Sequence, residues 1–177
     1  MESRAGRPRA SSRETLAEAA CELFLERGYE ETSIADIARR AGVSRSSFFN
    51  YFDSKADVFW GGFDERIAAF AARDDEDPAV AIASAFRAFA PGVLSLGLMH
   101  AEAMGAAAEL ERDAATRVLR IGRIAASRIG GDPLAAEVRG IALGGAVLAA
   151  VRAWSAAGPG RTPFDDVLGR ALAAVPG

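Results

Sequence analysis

Helix-starting and helix-stopping residues alternate along this chain at intervals that leave room only for a succession of helices. Ser33, Ser44, Ser54, Asp77 and Asp132 each stand before a stretch with apolar residues at helical spacing. Gly28, Gly42, Pro91-Gly92, Gly130-Gly131 and Gly158-Pro159-Gly160 each close one. Ser33 with Asp36 and Ser54 with Asp57 have the spacing of a capping box, and Pro78 and Pro133 follow Asp77 and Asp132 at the first helical position. Between these signals valine, isoleucine and aromatic residues rarely alternate, while alanine, leucine and arginine dominate. The pattern predicts an all-α chain of about nine helices with no strand.

The first helix is expected from Ser12, with Leu16, Ala20, Leu23 and Phe24 on one face and Gly28 as its stop. Ile34, Ile37, Ala38 and Ala41 then line one side of a two-turn helix. Val43 plugs the corner after Gly42, and a second short helix runs from Arg45 to about Phe52, with Phe48 and Phe52 four apart. A longer helix carries Phe59, Phe63, Ile67 and Phe70, and the acidic run "RDDEDP" breaks it as a solvated loop. Ile82, Phe86 and Phe89 mark the next. A helix from about Ala106 to Ile129, one to about Ala157 and one opened by Thr162-Pro163 complete the series.

Composition narrows the function classes. Half of the 177 residues are hydrophobic, enough for a buried core. The single cysteine, Cys21, fits a small apolar residue of an amphipathic helix in a reducing compartment. The basic start has no apolar segment behind it, and the longest apolar run, "GIALGGAVLAAV", is bounded by Arg139 and Arg152 short of the roughly 18 residues a membrane span needs. A cytoplasmic protein without a membrane partner is therefore expected. One histidine, one cysteine and no glycine-rich phosphate loop leave no catalytic constellation, so an enzyme is not expected. Asp165-Asp166 and Glu109 with Glu111 sit at helix starts, where the dipole accounts for them. No cofactor or metal is expected. The net charge of −3 hides an uneven distribution: Arg4, Arg7 and Arg9 face only Glu2 in the first twelve residues. Residues 1–11 read as a flexible basic arm, 12–55 as a small helical domain and 56–177 as a larger one.

The segment "TSIADIARRAGVSRSSFFNYFDSK" (32–55) is a helix-turn-helix pattern. The first helix would cross a phosphate backbone with Thr32 and Ser33 at its N-terminus. The second, opened by Ser44, would put its N-terminal residues in the major groove. With Phe48 and Phe52 inside, its outer face carries Arg45, Ser46, Phe49 and Asn50, flanked by Ser47 and Tyr51; arginine and asparagine are suited to base edges. Lys55, the only lysine, follows as a candidate phosphate contact. The rival reading is a helical protein-interaction module without sequence-specific DNA binding, which accounts for the Ala-rich helices but not for the paired caps and the aromatic-lysine end.

"TSIADIARRAGVSRSSFFNYFDSKADVF", with a helix before it, resembles the N-terminal domain of the TetR family of bacterial transcriptional repressors over residues 12–60. The resemblance implies that Ser47 contacts DNA, Tyr51 the DNA backbone and Lys55 a phosphate. Ser46 stands where the family often has glycine, and Phe49 where it often has tyrosine, which removes a phenol and leaves a ring for sugar or a thymine methyl. Arg7-Pro8-Arg9 resembles a short minor-groove motif and reads equally as a solvated tail. "ADVFWGGFD" resembles an actinobacterial subgroup that includes mycofactocin-associated regulators, which implies an apolar or acyl-CoA-like effector.

The resemblance further implies that the C-terminal helices bind a small-molecule effector and form a homodimer on a palindromic double-stranded DNA operator. Phe63, Ile67, Phe70, Phe86, Phe89, Leu94, Met99, Met104 and Trp154 supply apolar bulk for a pocket, with Arg87 and His100 as its polar contacts. In "RGIALGGAVLAAVRAW" and the last helix, Ile141, Gly144, Gly145, Leu148, Phe164, Leu168 and Leu172 are the expected dimerisation residues of a four-helix interface.

Overall fold

The computed structural model describes residues 9–73, 77–158 and 162–176, with side chains from Arg13 onward. Residues 1–8 of the basic arm, the Asp74-Asp75-Glu76 part of the acidic run and the Pro159-Gly160 turn lie outside the described residues, whereas residues 9–11, expected in that arm, belong to the first helix. Among the described residues there are nine helices and no strand: α1 (Arg9–Arg27), α2 (Ile34–Arg40), α3 (Arg45–Phe48), α4 (Asp57–Ala71), α5 (Pro78–Ala85), α6 (Gly92–Met99), α7 (Ala107–Ala126), α8 (Pro133–Ala156) and α9 (Phe164–Ala173).

The caps are made as the sequence predicts. Ser33 Oγ accepts from the Asp36 N–H at 3.1 Å while the Ser33 N–H donates to Asp36 at 3.2 Å. Ser44 Oγ accepts from Ser47 N–H at 3.1 Å, and Asp77 and Asp132 cap α5 and α8. Ser54 and Asp57 exchange the same pair of bonds at 2.8 and 3.3 Å, although the first helical residue of α4 follows Ala56. Gly28 and Gly42 take φ of 91° and 70°, the left-handed conformation that ends α1 and α2 at little cost only for glycine. Asp165 accepts from the backbone N–H of Ala88 at 3.1 Å, which joins the start of α9 to the end of α5.

Leu16, Leu23, Phe24, Ile37, Phe48 and Phe52 form the interior of the first three helices. α4 leaves this unit with Phe59 still packed on Phe24 and Tyr29, and further along it buries Trp60, Phe63, Ile67 and Phe70. Its rings join a series of edge-on contacts from Trp60 through Phe63, Phe86 and Phe89 to Phe164 and Trp154. Arg128 closes the far end of α4 by donating to the carbonyls of Phe70 and Ala71 at 3.0 and 3.1 Å.

α7 and α8 cross at their glycines. A Cβ on Gly140 would lie 2.4 Å from the Gly122 carbonyl oxygen, and one on Gly144 would lie 2.4 Å from that of Val118. This corrects the expectation that the glycines of α8 belong to the dimer contact, because Gly144 is spent on packing within the chain. Leu148, Phe164, Leu168 and Leu172 are likewise buried inside the chain. Left outward on α8 are Leu134, Val138 and Ile141, exposed by 69%, 61% and 40%, followed by Gly145, which has open space beside it. These four positions share one helix face. A second correction concerns length: α8, at 24 residues, is long and apolar enough to cross a membrane. Its interruptions by Arg139 and Arg152 do not change that; α7, α9 and α6 pack against it and Leu143, Val147 and Val151 are buried, whereas Leu134, Val138 and Ile141 remain exposed.

Candidate nucleic-acid interface

α3 is regular over four residues only. Beyond Phe48 the chain tightens: Asn50 N–H donates to Ser47 at 3.3 Å and Tyr51 N–H to Phe48 at 3.0 Å, both closing on the third residue back. The helix expected to reach Phe52 is thus irregular after Phe48, but the Phe52 N–H still donates to the Phe48 carbonyl at 3.0 Å, the α-helical spacing that turns both rings inward, their centroids 5.3 Å apart.

The opposite side is open. Ser44, Arg45, Ser46, Phe49 and Asn50 are exposed, with Ser47 and Tyr51 at the margin. Phe49 is 46% exposed, and the Arg45 guanidinium lies 5.8 Å from its ring centre, so the two form one flat, cationic and apolar edge. Ser44 Oγ lies 2.8 Å from both Ser46 Oγ and Ser47 Oγ, giving three hydroxyls grouped over the start of α3.

Two expected phosphate contacts are positioned differently. Thr32 is 1% exposed, and its hydroxyl donates to the carbonyls of Gly28 at 2.8 Å and Leu23 at 3.3 Å. It closes the C-terminus of α1 and is absent from the surface, so its expected contact with DNA is corrected; Ser33, next to it, remains exposed. Lys55 is turned inward. Its ammonium donates to the carbonyls of Tyr29 and Thr32 and lies 4.0 Å from the centre of the Tyr29 ring. It ties the start of α4 to the loop that leads into α2.

Charges that the sequence reading missed brace this unit. Arg40 pairs with Glu22 at 3.0 Å and Glu26 at 2.6 Å, holding α2 on α1 and pulling the Glu26 carboxyl below its ordinary range through the hydrogen bond. Hydrogen bonds from Ser33, helped by Arg39, bring the Asp36 carboxyl down to about 2. Arg117 of α7 pairs with Asp64 of α4, and its guanidinium lies 4.5 Å from the centre of the Trp60 ring. Only the spacing of Asp113 and Arg117, one helical turn apart, hinted at this in the sequence. Cys21 is buried, and burial lifts its thiol to about 11, which leaves it an inert core residue.

The expected pocket residues do not converge. Ile67, Phe70, Phe86 and Met104 are fully buried in packed core. Arg87 is exposed at the end of α5, Met99 is exposed on α6 and His100 caps α6, while Trp154 donates to the Thr162 carbonyl at 3.1 Å. The remaining three, Phe63, Phe89 and Leu94, line a cleft of ≈ 360 Å³ between α1, α4 and the start of α6, together with Phe52 and Phe59. A second groove of ≈ 460 Å³ between α6, α7 and α8 includes Met99, Leu110 and Arg152.

The family profile described as "Bacterial regulatory proteins, tetR family" matches residues 16–59. A Mycobacterium tuberculosis protein named for transcriptional regulation of mycofactocin biosynthesis is 36% identical over 88 residues, 49% of this chain and 44% of that protein. The transcriptional regulator TcmR of Streptomyces glaucescens is 33% identical over 139 residues, covering 68% of this chain and 62% of TcmR. The chain thus spans less than two thirds of the length of these curated relatives. Among solved structures, NalD, the secondary repressor of the MexAB-OprM multidrug efflux pump in Pseudomonas aeruginosa, superposes with a TM-score of 0.56 at 20% identity, over 95% of this chain and 96% of NalD. That likeness is one of fold: a helix-turn-helix unit followed by a helical body.

Proposed function

We propose a function from the premise that this chain belongs to the TetR family of bacterial regulatory proteins and is not an enzyme: it is a DNA-binding transcriptional regulator, a repressor released by an apolar effector. One observation carries the proposal. α3 turns Phe48 and Phe52 inward and leaves Arg45, Ser46, Phe49 and Asn50 along an exposed edge, as entry into a major groove requires. Arg45 is assigned to a guanine, Asn50 to a base edge, Phe49 to a thymine methyl or sugar, and Ser33, Ser44, Ser47 and Tyr51 to phosphates.

A homodimer is the second part of the proposal, and the outward stripe Leu134, Val138, Ile141 and Gly145 on α8 supports it. Two copies of that stripe related by a two-fold axis would set two α3 edges in successive major grooves, about 34 Å apart, on a palindromic operator in the cytoplasm. An effector lowers DNA affinity only if it binds more tightly to the state whose spacing no longer matches. α4 is the lever for that change, since Lys55 fastens its start to the helix-turn-helix unit while Arg117 of α7 and Arg128 in the turn after α7 fasten its length and its end.

Selection of random duplex DNA by the purified chain tests the proposal. Enrichment of a palindrome whose half-sites lie about one helical turn apart is the expected outcome. No enriched sequence at low and moderate salt overturns it and returns the helix pair to the protein-interaction reading.

A further inference from the structure

The cleft between α1, α4 and the start of α6 has a chemical bias of its own. Phe52, Phe59, Phe63 and Phe89 wall it, and two glycines keep it open: a Cβ on Gly62 would sit 3.7 Å from the Phe89 ring, while Gly92 has open space beside it. Its rim on α1 carries Glu14 and Glu18, one turn apart, both exposed. Among the described residues neither has a cationic partner. The cations beside it are already engaged: Arg13 pairs with Glu65 and lies 5.6 Å from the centre of the Phe52 ring, and the Arg66 guanidinium lies 6.0 Å from the centre of the Phe89 ring.

From this we infer that the cleft binds a lipophilic organic cation, a body of one or two aromatic rings bearing a quaternary or protonated amine. The rings lie against the parts of the phenylalanines that the cleft leaves open, and the charge sits under the two carboxylates. A volume of ≈ 360 Å³ admits such a body. The same rim repels a polyanionic head, so at this cleft it selects against an acyl-CoA. The occupant would touch Phe52 of the helix-turn-helix unit, Phe59 and Phe63 of α4 and Leu94 of α6 together, and so would set the angle between that unit and the body. This names the effector chemistry of the regulator proposed above and rests on that reading for its consequence; the binding itself does not.

The test is calorimetric titration of the whole chain with (1-naphthylmethyl)trimethylammonium and, separately, with naphthalene-1-sulfonate, which keeps the ring system and reverses the charge. Saturable binding of one cation per chain is expected, with the anion at least about tenfold weaker. Glu14→Gln with Glu18→Gln should weaken the cation about tenfold, and Gly62→Leu, which fills the cleft, should abolish it. All three changes are on exposed helix positions; should Gly62→Leu fail to fold, the paired glutamine variant decides alone. No saturable cation binding, equal binding of the anion, or binding unchanged in the paired variant overturns the inference. A chain that binds its selected operator but not the cation defeats the inference alone. One that binds the cation and selects no operator defeats the proposed function alone.

Discussion

Arg117 and Asp64 meet in a two-pronged ion pair, Nε donating at 3.0 Å and Nη2 at 2.6 Å, and through it α7 holds α4. Asp57 and Asp113 stand 3.9 and 3.7 Å from the same guanidinium, whose side chain is only 12% exposed. One cation thus offsets three carboxylates. Arg117→Met keeps the stem that covers Trp60 but leaves the carboxylates facing one another, and should cost about 2 kcal/mol of stability. Asp64→Asn, which retains a hydrogen-bond acceptor, should cost less. Urea unfolding of the two variants beside the parent checks the order.

Two aspartates should respond to pH in opposite senses. Burial, opposed by Arg117 and reinforced by Glu109, Asp57 and Asp64, raises the Asp113 pKa above 3.8. The folded chain then holds more protons than the unfolded one between 3.8 and that raised value, so stability falls as pH rises through this window. Asp36 is lowered from 3.8 to about 2, so its contribution is present above 3.8 and is lost as pH falls toward 2. Asp113→Asn should therefore gain on the parent at neutral pH, and Asp36→Asn should lose. Both differences should shrink in acid, as unfolding midpoints across that range will report.

Local signals were legible in the sequence, whereas contacts between distant elements were not. The caps at Ser33, Ser44, Asp77 and Asp132 are each decided by a residue and its neighbours two or three positions on, and all four are made. The inward turn of Phe48 and Phe52 followed from their spacing. Thr32 and Lys55 went astray because their hydroxyl and ammonium are claimed by carbonyls of the α1–α2 loop, whose approach depends on the packing of α1 and α4. The glycines of α8 pointed correctly to a close helix crossing, but composition cannot say whether the second helix is α7 of the same chain or α8 of another.

Gly144 and Gly145 separate those two contacts. Gly144→Ala drives a Cβ against the Val118 backbone and should destabilise by about 1–3 kcal/mol. Gly145→Ala meets nothing within 4 Å in the chain and gains helix propensity, so its melting temperature should hold or rise. Ile141→Glu, on the exposed stripe, should leave helical content intact and shift the chain to monomer in sedimentation equilibrium if α8 is the dimer face. A dimer unaffected by this change would move the interface elsewhere.

Arg45 and Lys55, both expected on DNA from the sequence, should behave as different kinds of residue. A lysine that neutralises a phosphate releases a counterion, and its loss lowers the slope of log affinity against log salt by about one. The Lys55 ammonium instead serves the carbonyls of Tyr29 and Thr32. Lys55→Met should therefore lower the melting temperature and weaken DNA binding with the salt slope intact. Arg45 is exposed beside Phe49, and among the described residues its guanidinium makes no hydrogen bond or ion pair, so Arg45→Ala should leave stability nearly unchanged. Its signature is relaxed preference at one base pair of each half-site, worth about 1–3 kcal/mol, read by competition with single-substitution operators. If Lys55→Met flattens the salt slope by about one instead, its ammonium leaves the carbonyls for a phosphate in the complex.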